Sequence, residues 1–550
     1  MAKRNNHKYI FVLGGVMSGI GKGITTSSIG TILQARGFRV NLIKIDPYLN
    51  VDAGTMNPTE HGEVFVSDSG MESDQDIGNY ERFTEVNSSN DDYITSGMVY
   101  KYVIEKERNL GYKGKCVEAV PDIINEIIRR IKISEQENRS DISIIEIGGT
   151  IGDYQNVLFI EAGRTLKLKK PRNVLFVLVS YLPIPNKIGE MKTRPTRIAS
   201  QTLNSYGVQT DFIIARSDVK LDKKRKEKLA ISCSVPVSNV ISAPDIESIY
   251  DVPINFEEDR IGNKLLKALG LKTKGRADLK KWEEFVSKSK NTKTELNIAI
   301  AGKYFDTGSF VLSDSYISVI EAIKISAYHF GAKPKLTWLN SKDFDKANKK
   351  LKDLKKFDGI IVPGGFGETG VEGKINIIKF ARGNKIPFFG LCYGMQLAIV
   401  EYSRNILGLA DANTVEINPN TNNPVIDVMP DQKKKIEEKN YGGSMRLGAY
   451  TAILKEGTIA KKSYGLDEIS ERHRHRYEVN PDYIERLEEK GIIFSGKSPD
   501  GKLMEIMELP QNKHPFFLGT QFHPEFKARP LSPHPLFSGF IKACLKNRRQ

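Results

Sequence analysis

Short, wholly apolar runs alternate with longer amphipathic stretches through the first half of the chain. The runs are "KYIFVLGG", "FRVNLIKID", "DISIIEIGG", "NVLFVLVSYLP", "DFIIARSD" and "NVISAPD". A run that is apolar at every position, not every second one, suits a strand covered on both faces. Strands of that kind separated by helices pair in parallel. The alternation stops near residue 265. Residues 271–295, "LKTKGRADLKKWEEFVSKSKNTKTE", are charged apart from a Trp-Phe pair and read as a linker holding a short helix. Alternation resumes at "LNIAIAGKY" and continues through "DGIIVPGGFG" and "IPFFGLCYGMQLAIVEYS". The pattern predicts an α/β chain of two domains, 1–270 and 296–550, each with a mostly parallel sheet flanked by helices.

Composition agrees and narrows the class. At 550 residues the chain is too long for a single core, and its 39% hydrophobic and 27% charged residues are ordinary for a globular protein. No apolar run approaches a membrane span, and no cleavage pattern follows the first strand. Cys116, Cys233, Cys392 and Cys544 are far apart without CxxC pairing, which points to a reducing, cytoplasmic setting with neither disulfides nor structural zinc. The net charge of +15 would suit nucleic acid. However, the lysines fall in scattered runs such as 220–228 and 433–435, with no nucleic-acid motif beside them. They read as a solvated basic surface, and neither nucleic acid nor membrane is expected as a partner.

The stretch "GGVMSGIGKGITTSS" (14–28) follows a strand and opens a helix, the context in which a glycine-rich turn holds phosphate. Gly19, Ile20, Gly21 and Gly23 would offer backbone N–H groups, and Lys22 a positive charge. No Ser or Thr follows Lys22, so a Mg²⁺ ion needs oxygens from elsewhere. Asp76, in "ESDQDIGNYERF", and Glu146, near the end of "DISIIEIGGT", are the candidates. Glu146 is the stronger, because a buried carboxylate is costly without a partner.

In the second half, "FFGLCYGMQLAIV" places Cys392 between glycines at a strand-to-helix junction, parallel to the G-x-S-x-G nucleophile elbow. "GTQFHPEF" supplies His523 as base and Glu525 to orient it. Gly364 and Gly365, at the end of another strand, could line an oxyanion hole with the N–H of Tyr393. Together these pieces point to acyl transfer.

The "GLCYGMQ", "VPGGFG" and "QFHPEF" motifs together resemble the class I glutamine amidotransferases. "GGVMSGIGKG", "IKIDPYLNVDAGTMNPTEHGEVFV", "DIGNYERF", "EIGGTIGD" and "KTRPT" resemble the synthetase domain of the CTP synthase family, and "ERHRHRYEVN" (471–480) resembles its glutaminase domain. The resemblance covers nearly the whole chain. It implies an ATP-dependent ligase that converts UTP to CTP, the last step of de novo CTP formation, through a 4-phosphorylated UTP and with ammonia from glutamine. Cys392, His523 and Glu525 would form the glutaminase triad. Glutamine would be held by Gly364, Gly365, Tyr393, Gly394, Met395, Gln396, Glu416 and Arg476. ATP would lie on Gly19, Ile20, Gly21, Lys22 and Gly23, with Asp76 and with the adenine at Pro244, Asp245 and Ile246. UTP, or CTP as inhibitor, would contact Ser18, Lys44, Asp153, Tyr154, Gln155, Lys192, Thr193, Arg194, Pro195, Thr196, Arg197 and Lys228. Asp76 and Glu146 match the family's Mg²⁺ ligands. The resemblance also implies GTP activation, a homotetramer and, in some members, filaments.

Three positions depart from the family pattern. Gln155 stands where Glu is common, Thr369 where Arg is common, and Tyr393 where Leu is common. For Arg472, Arg474 and the two histidines between Arg472 and Arg476, a solvated charge run is the competing reading. An amidoligase acting on a carboxylate, or a silent assembly protein of the same fold, would be the alternatives. The pyrimidine-type motifs speak against the first, and the intact Cys392, His523, Glu525 and Lys22 against the second.

Overall fold

The computed structural model describes residues 7–15, 17–185, 189–275, 277–302, 306–307, 310–311, 313–346, 349–429, 432 and 443–548. The lysine run 433–435 lies outside them. The chain forms two compact units, one from residues 1–52 and 76–286, the other from 53–75 and 287–550.

In the first unit seven strands build one sheet: β1 (Lys8–Gly15), β2 (Val40–Asp46), β3 (Tyr93–Thr95), β4 (Ile142–Ile147), β5 (Val174–Tyr181), β6 (Phe212–Ser217) and β7 (Val240–Pro244). Their order is β3-β2-β4-β1-β5-β6-β7, and every neighbouring pair is parallel. All eight residues of β1 are buried, as a strand covered on both faces requires. The strand order reverses around β1, and such a switch point opens a crevice beyond the carboxyl ends of the strands. The glycine-rich turn leaves β1 into that crevice and continues as helix α1 (Lys22–Gln34).

A helix spans Lys280–Lys290 within the expected linker. Its Trp282 and Phe285 are buried in the first unit. The Trp282 indole N–H donates to the Tyr250 carbonyl at 2.8 Å, and its ring lies 5.2 Å from that of Phe83.

The second unit holds a nine-stranded sheet of β8 (Thr294–Gly302), β9 (Ala332–Asn340), β10 (Gly359–Val362), β11 (Phe388–Leu391), β12 (Arg446–Leu454), β13 (Glu468–His475), β14 (Ile493–Lys497), β15 (Met504–Glu508) and β16 (Phe517–Thr520). The order is β9-β8-β10-β11-β16-β15-β14-β12-β13. The first five strands are parallel, and the other four extend the sheet antiparallel. Among the described residues no helix is long and apolar enough to cross a membrane.

Candidate functional site

Three adjacent parallel strands of the second unit, β10, β11 and β16, end side by side. Gly364 and Gly365 follow β10, Cys392 follows β11, and His523 follows β16, so topology brings together groups that lie far apart in sequence. Cys392 has φ 49° and ψ −98°, a strained backbone for a residue with a side chain, and the helix Tyr393–Asn405 starts directly after it. The flanking glycines make that turn sterically feasible. A Cβ on Gly390 would come within 2.7 Å of the Gly394 carbonyl carbon, and one on Gly394 would collide with the Val362 carbonyl oxygen.

The Cys392 thiol donates to the Arg474 carbonyl at 3.8 Å and accepts from the Gln521 amide at 3.6 Å. The Nδ1 of His523 lies 2.8 Å from Glu525 Oε1. Burial alone would push the imidazole down. The Glu525 carboxylate and the Cys392 sulfur outweigh burial and hold His523 up at about 10. Gly364 must be a glycine here, because a Cβ would lie 2.8 Å from His523 Cε1.

Gly364, Gly365, Cys392, His523 and Glu525 line one pocket of about 70 Å³. The other residues expected to hold glutamine do not line it. Gly394 and Met395 belong to the first turn of the helix, and the Tyr393 hydroxyl donates to the Gly367 carbonyl at 3.0 Å. Gln396 donates to the Tyr477 carbonyl at 3.0 Å, and Glu416 accepts from the Gly367 N–H at 2.7 Å. Arg476 donates to Gln432 and Ser444, each at 3.0 Å.

The same pocket reveals what sequence reasoning missed. Pro58, Glu63 and Val64, from a segment some 330 residues upstream of Cys392, are part of its wall, as is Arg474. The segment is tied down by charge. Arg474 donates to Glu72 at 2.8 Å and Arg472 to Asp68 at 2.6 Å. Phe65 packs edge-on against Phe526 at 5.0 Å. Arg472, His473 and His475 are fully buried, so the "RHRHR" run is a core strand and not a solvated one. The one available signal was the alternation of arginine and histidine over 472–476, which the sequence reading did not take for a strand. Nothing local marked their partners.

In the first unit, Gly21 caps α1 in the left-handed conformation, and no side chain makes a capping hydrogen bond there. The first N–H groups of α1 and their partial positive charge therefore face the crevice. Ser18 and Gly19 are exposed in the turn. Lys22 folds back over Gly14 and donates to the Gly149 carbonyl at 2.9 Å; burial pushes its ammonium down. Lys44 and Glu146 are directly paired in register on β2 and β4, and Lys44 Nζ donates to Glu146 at 2.9 Å and also to Asp76. The Tyr80 hydroxyl donates to the other Glu146 oxygen at 2.5 Å. Burial, and then the neighbouring Asp76 carboxylate, push the Glu146 carboxyl up against the pull of Lys44.

Gly21, Pro244 and Ile246 share a pocket of about 110 Å³ with Ile249, Phe256 and Arg216. Arg216, unremarked in the sequence, donates to the Ile20 carbonyl at 3.3 Å and pairs with Asp245. Asp153 accepts from the Thr150 N–H at 2.7 Å, while Tyr154 and Gln155 are exposed. Thr193 precedes the helix Arg194–Ser205, in which Pro195 occupies the first turn, Arg197 is exposed and Thr196 meets Ser180 at 2.8 Å. Lys192 donates to Glu190 at 2.7 Å. Lys192 and then Lys228 contribute to holding the Glu190 carboxyl low.

Residues 8–271 match the family described as CTP synthase N-terminus, and residues 311–543 the family described as glutamine amidotransferase class-I. The CTP synthase of Thermococcus gammatolerans is 49% identical over 98% of this chain and 99% of its own. That of Caldanaerobacter subterraneus subsp. tengcongensis is 48% identical over 98% of both chains, as is that of Methanocaldococcus jannaschii.

Proposed function

The chain belongs to the CTP synthase family, and from that premise we propose that it aminates UTP to CTP, using ATP and the ammonia of glutamine. The observation that carries the glutaminase half is the shared pocket of Gly364, Gly365, Cys392, His523 and Glu525 at the ends of three neighbouring strands. Cys392 sulfur attacks the glutamine carboxamide carbon. Backbone N–H groups of the Gly364–Gly365 turn and of Tyr393 face the oxygen that gains charge. His523, an imidazolium oriented by Glu525, gives its proton to the departing ammonia and then takes one from the water that releases glutamate. Gly394, Met395, Gln396, Glu416 and Arg476 complete the glutamine site. Arg476 suits the α-carboxylate, because a guanidinium pairs with it bidentately.

In the first unit, Gly19 to Gly23 and Lys22 hold the ATP phosphates, and Pro244, Asp245 and Ile246 receive the adenine. Ser18, Lys44, Asp153, Tyr154, Gln155, the segment from Lys192 to Arg197, and Lys228 hold UTP. Asp76 and Glu146 fit Mg²⁺: they are hard carboxylate donors that already converge on one cation, the Lys44 ammonium. Among the described residues there is no cluster of three or more such side chains, so phosphate and water oxygens would complete the shell. When bound, Mg²⁺ would offset the charge on the transferring phosphate. The uracil 4-oxygen is phosphorylated and then displaced by ammonia, and CTP competes with UTP for the site. GTP activation and a homotetramer complete this reading. Supplying UTP, ATP, Mg²⁺ and glutamine and following CTP tests it; no CTP from glutamine or from ammonia would refute it.

A further inference from the structure

A cleft of about 930 Å³ opens on the second unit, and no residue of either candidate site lines it. Five of its nineteen lining residues are lysines, Lys385, Lys462, Lys513, Lys542 and Lys546, and none is Asp or Glu. The chain as a whole carries nearly as many acids as bases, 67 against 82, so a sample of ordinary surface would mix the two. Among the described residues none of the five lysines forms an ion pair, and all five are exposed. Their charges converge on one concavity, where a single sign of charge concentrates counter-ions more than a flat face does.

The lysines reach the cleft from separate parts of the fold. Lys385 follows the helix Val371–Gly383, Lys462 lies on Ile459–Tyr464, Lys513 precedes β16, and Lys542 and Lys546 lie on successive turns of Pro535–Asn547. One of these placements works against local structure: Lys385 has φ 57° at a helix exit where glycine is least strained.

The floor is apolar. Phe516 and Ile459 are buried there, and the Lys542 ammonium lies 5.2 Å from the centre of the Phe330 ring. Gly539 lets two helices close beneath it, since a Cβ would meet Ser463 Oγ at 2.8 Å. His514 adds no charge. Burial pushes it down to about 4, and its Nδ1 accepts from the Phe516 N–H at 3.3 Å.

No arginine lines the cleft, so it recognises an anion by point charges and not by a planar fork. Five ammonium groups on flexible stems are matched by an anion that carries several charges on a short chain, as linked phosphates do. The volume falls within the roughly 300–1,000 Å³ of small-molecule sites. We propose that this cleft binds a small polyphosphorylated anion, either inorganic or a nucleotide whose ring lies against the exposed Phe330.

Lysine acetylation of the full-length enzyme, mapped by mass spectrometry, tests this with inorganic tripolyphosphate or ATP as the probe at sub-millimolar concentration. Lys462, Lys513, Lys542 and Lys546 are expected to be protected several-fold. Stronger protection by ATP assigns a nucleotide, and equal protection assigns the phosphate chain alone. The double substitution Lys542→Gln, Lys546→Gln should abolish protection of Lys462 and Lys513 while leaving ammonia-dependent CTP formation unchanged. If neither probe alters acetylation of the cleft lysines, the cleft is a solvated surface and the proposal fails.

Discussion

Nδ1 of His523 lies 2.8 Å from Oε1 of Glu525, with one proline between the two residues in sequence, and this contact keeps the imidazole charged inside a buried pocket. Glu525→Gln replaces a charge-assisted hydrogen bond with a neutral one, a loss of about 1–2 kcal/mol to the imidazolium. The pKa of His523 should then fall from about 10 toward that of an ordinary histidine. Because the protonated form releases ammonia, the alkaline limb of the glutaminase pH profile should move down by about one unit or more. The sign for stability follows from the raised pKa. The pair's stabilisation is complete below about pH 6.5, the ordinary histidine value, and is lost as pH rises through the folded value. Denaturant titrations of wild type and variant should therefore differ most at low pH and converge near pH 10.

The elbow makes a steric prediction. Gly394→Ala drives a Cβ into the Val362 carbonyl beside the strained Cys392 backbone. Overpacking of this kind costs about 1–3 kcal/mol, and displacing the nucleophile by even a fraction of an ångström should lower glutaminase kcat at least tenfold. Thermal unfolding and glutamate release measure the two effects.

Glu72 and Arg474 are both well buried, and their ion pair anchors the 53–75 segment at the pocket wall. Glu72→Ala leaves a buried guanidinium without its carboxylate and should destabilise by about 3 kcal/mol; Glu72→Gln, which keeps a hydrogen bond, should cost less. Urea unfolding gives the difference, and glutaminase kcat/KM should fall in the same order.

For the metal, Glu146→Gln removes one of the two proposed Mg²⁺ ligands, leaving Asp76 and Asp46 beside Lys44. The Mg²⁺ concentration needed for half-maximal CTP formation should rise several-fold. Chelation should stop CTP formation with either nitrogen donor and leave glutamine-analogue labelling of Cys392 intact.

Much of this was legible because it is local. Apolar runs announced most of the parallel strands, though not the short β3 or the half-exposed β9, and glycines around Cys392 announced a tight elbow. What escaped depends on partners distant in sequence. Residues 53–75 carry no strong apolar period and join the second unit through Arg472 and Arg474, about 400 positions away. The same partners make burial of the "RHRHR" run affordable. The pairing of Lys44 with Glu146 follows from the register of β2 and β4, which periodicity does not specify. The four antiparallel strands from β12 to β15 are shorter or only partly buried and lack the unbroken signal of β1.

In the proposed division of labour, Cys392 supplies nitrogen and the Lys22 loop supplies activated UTP. CTP formation by Cys392→Ala, measured once with glutamine and once with ammonium chloride, separates the two roles. No CTP from glutamine and near-wild-type CTP from ammonia are expected. Glutamine-dependent synthesis by the variant, or loss of synthesis from ammonia in a folded protein, would contradict this division.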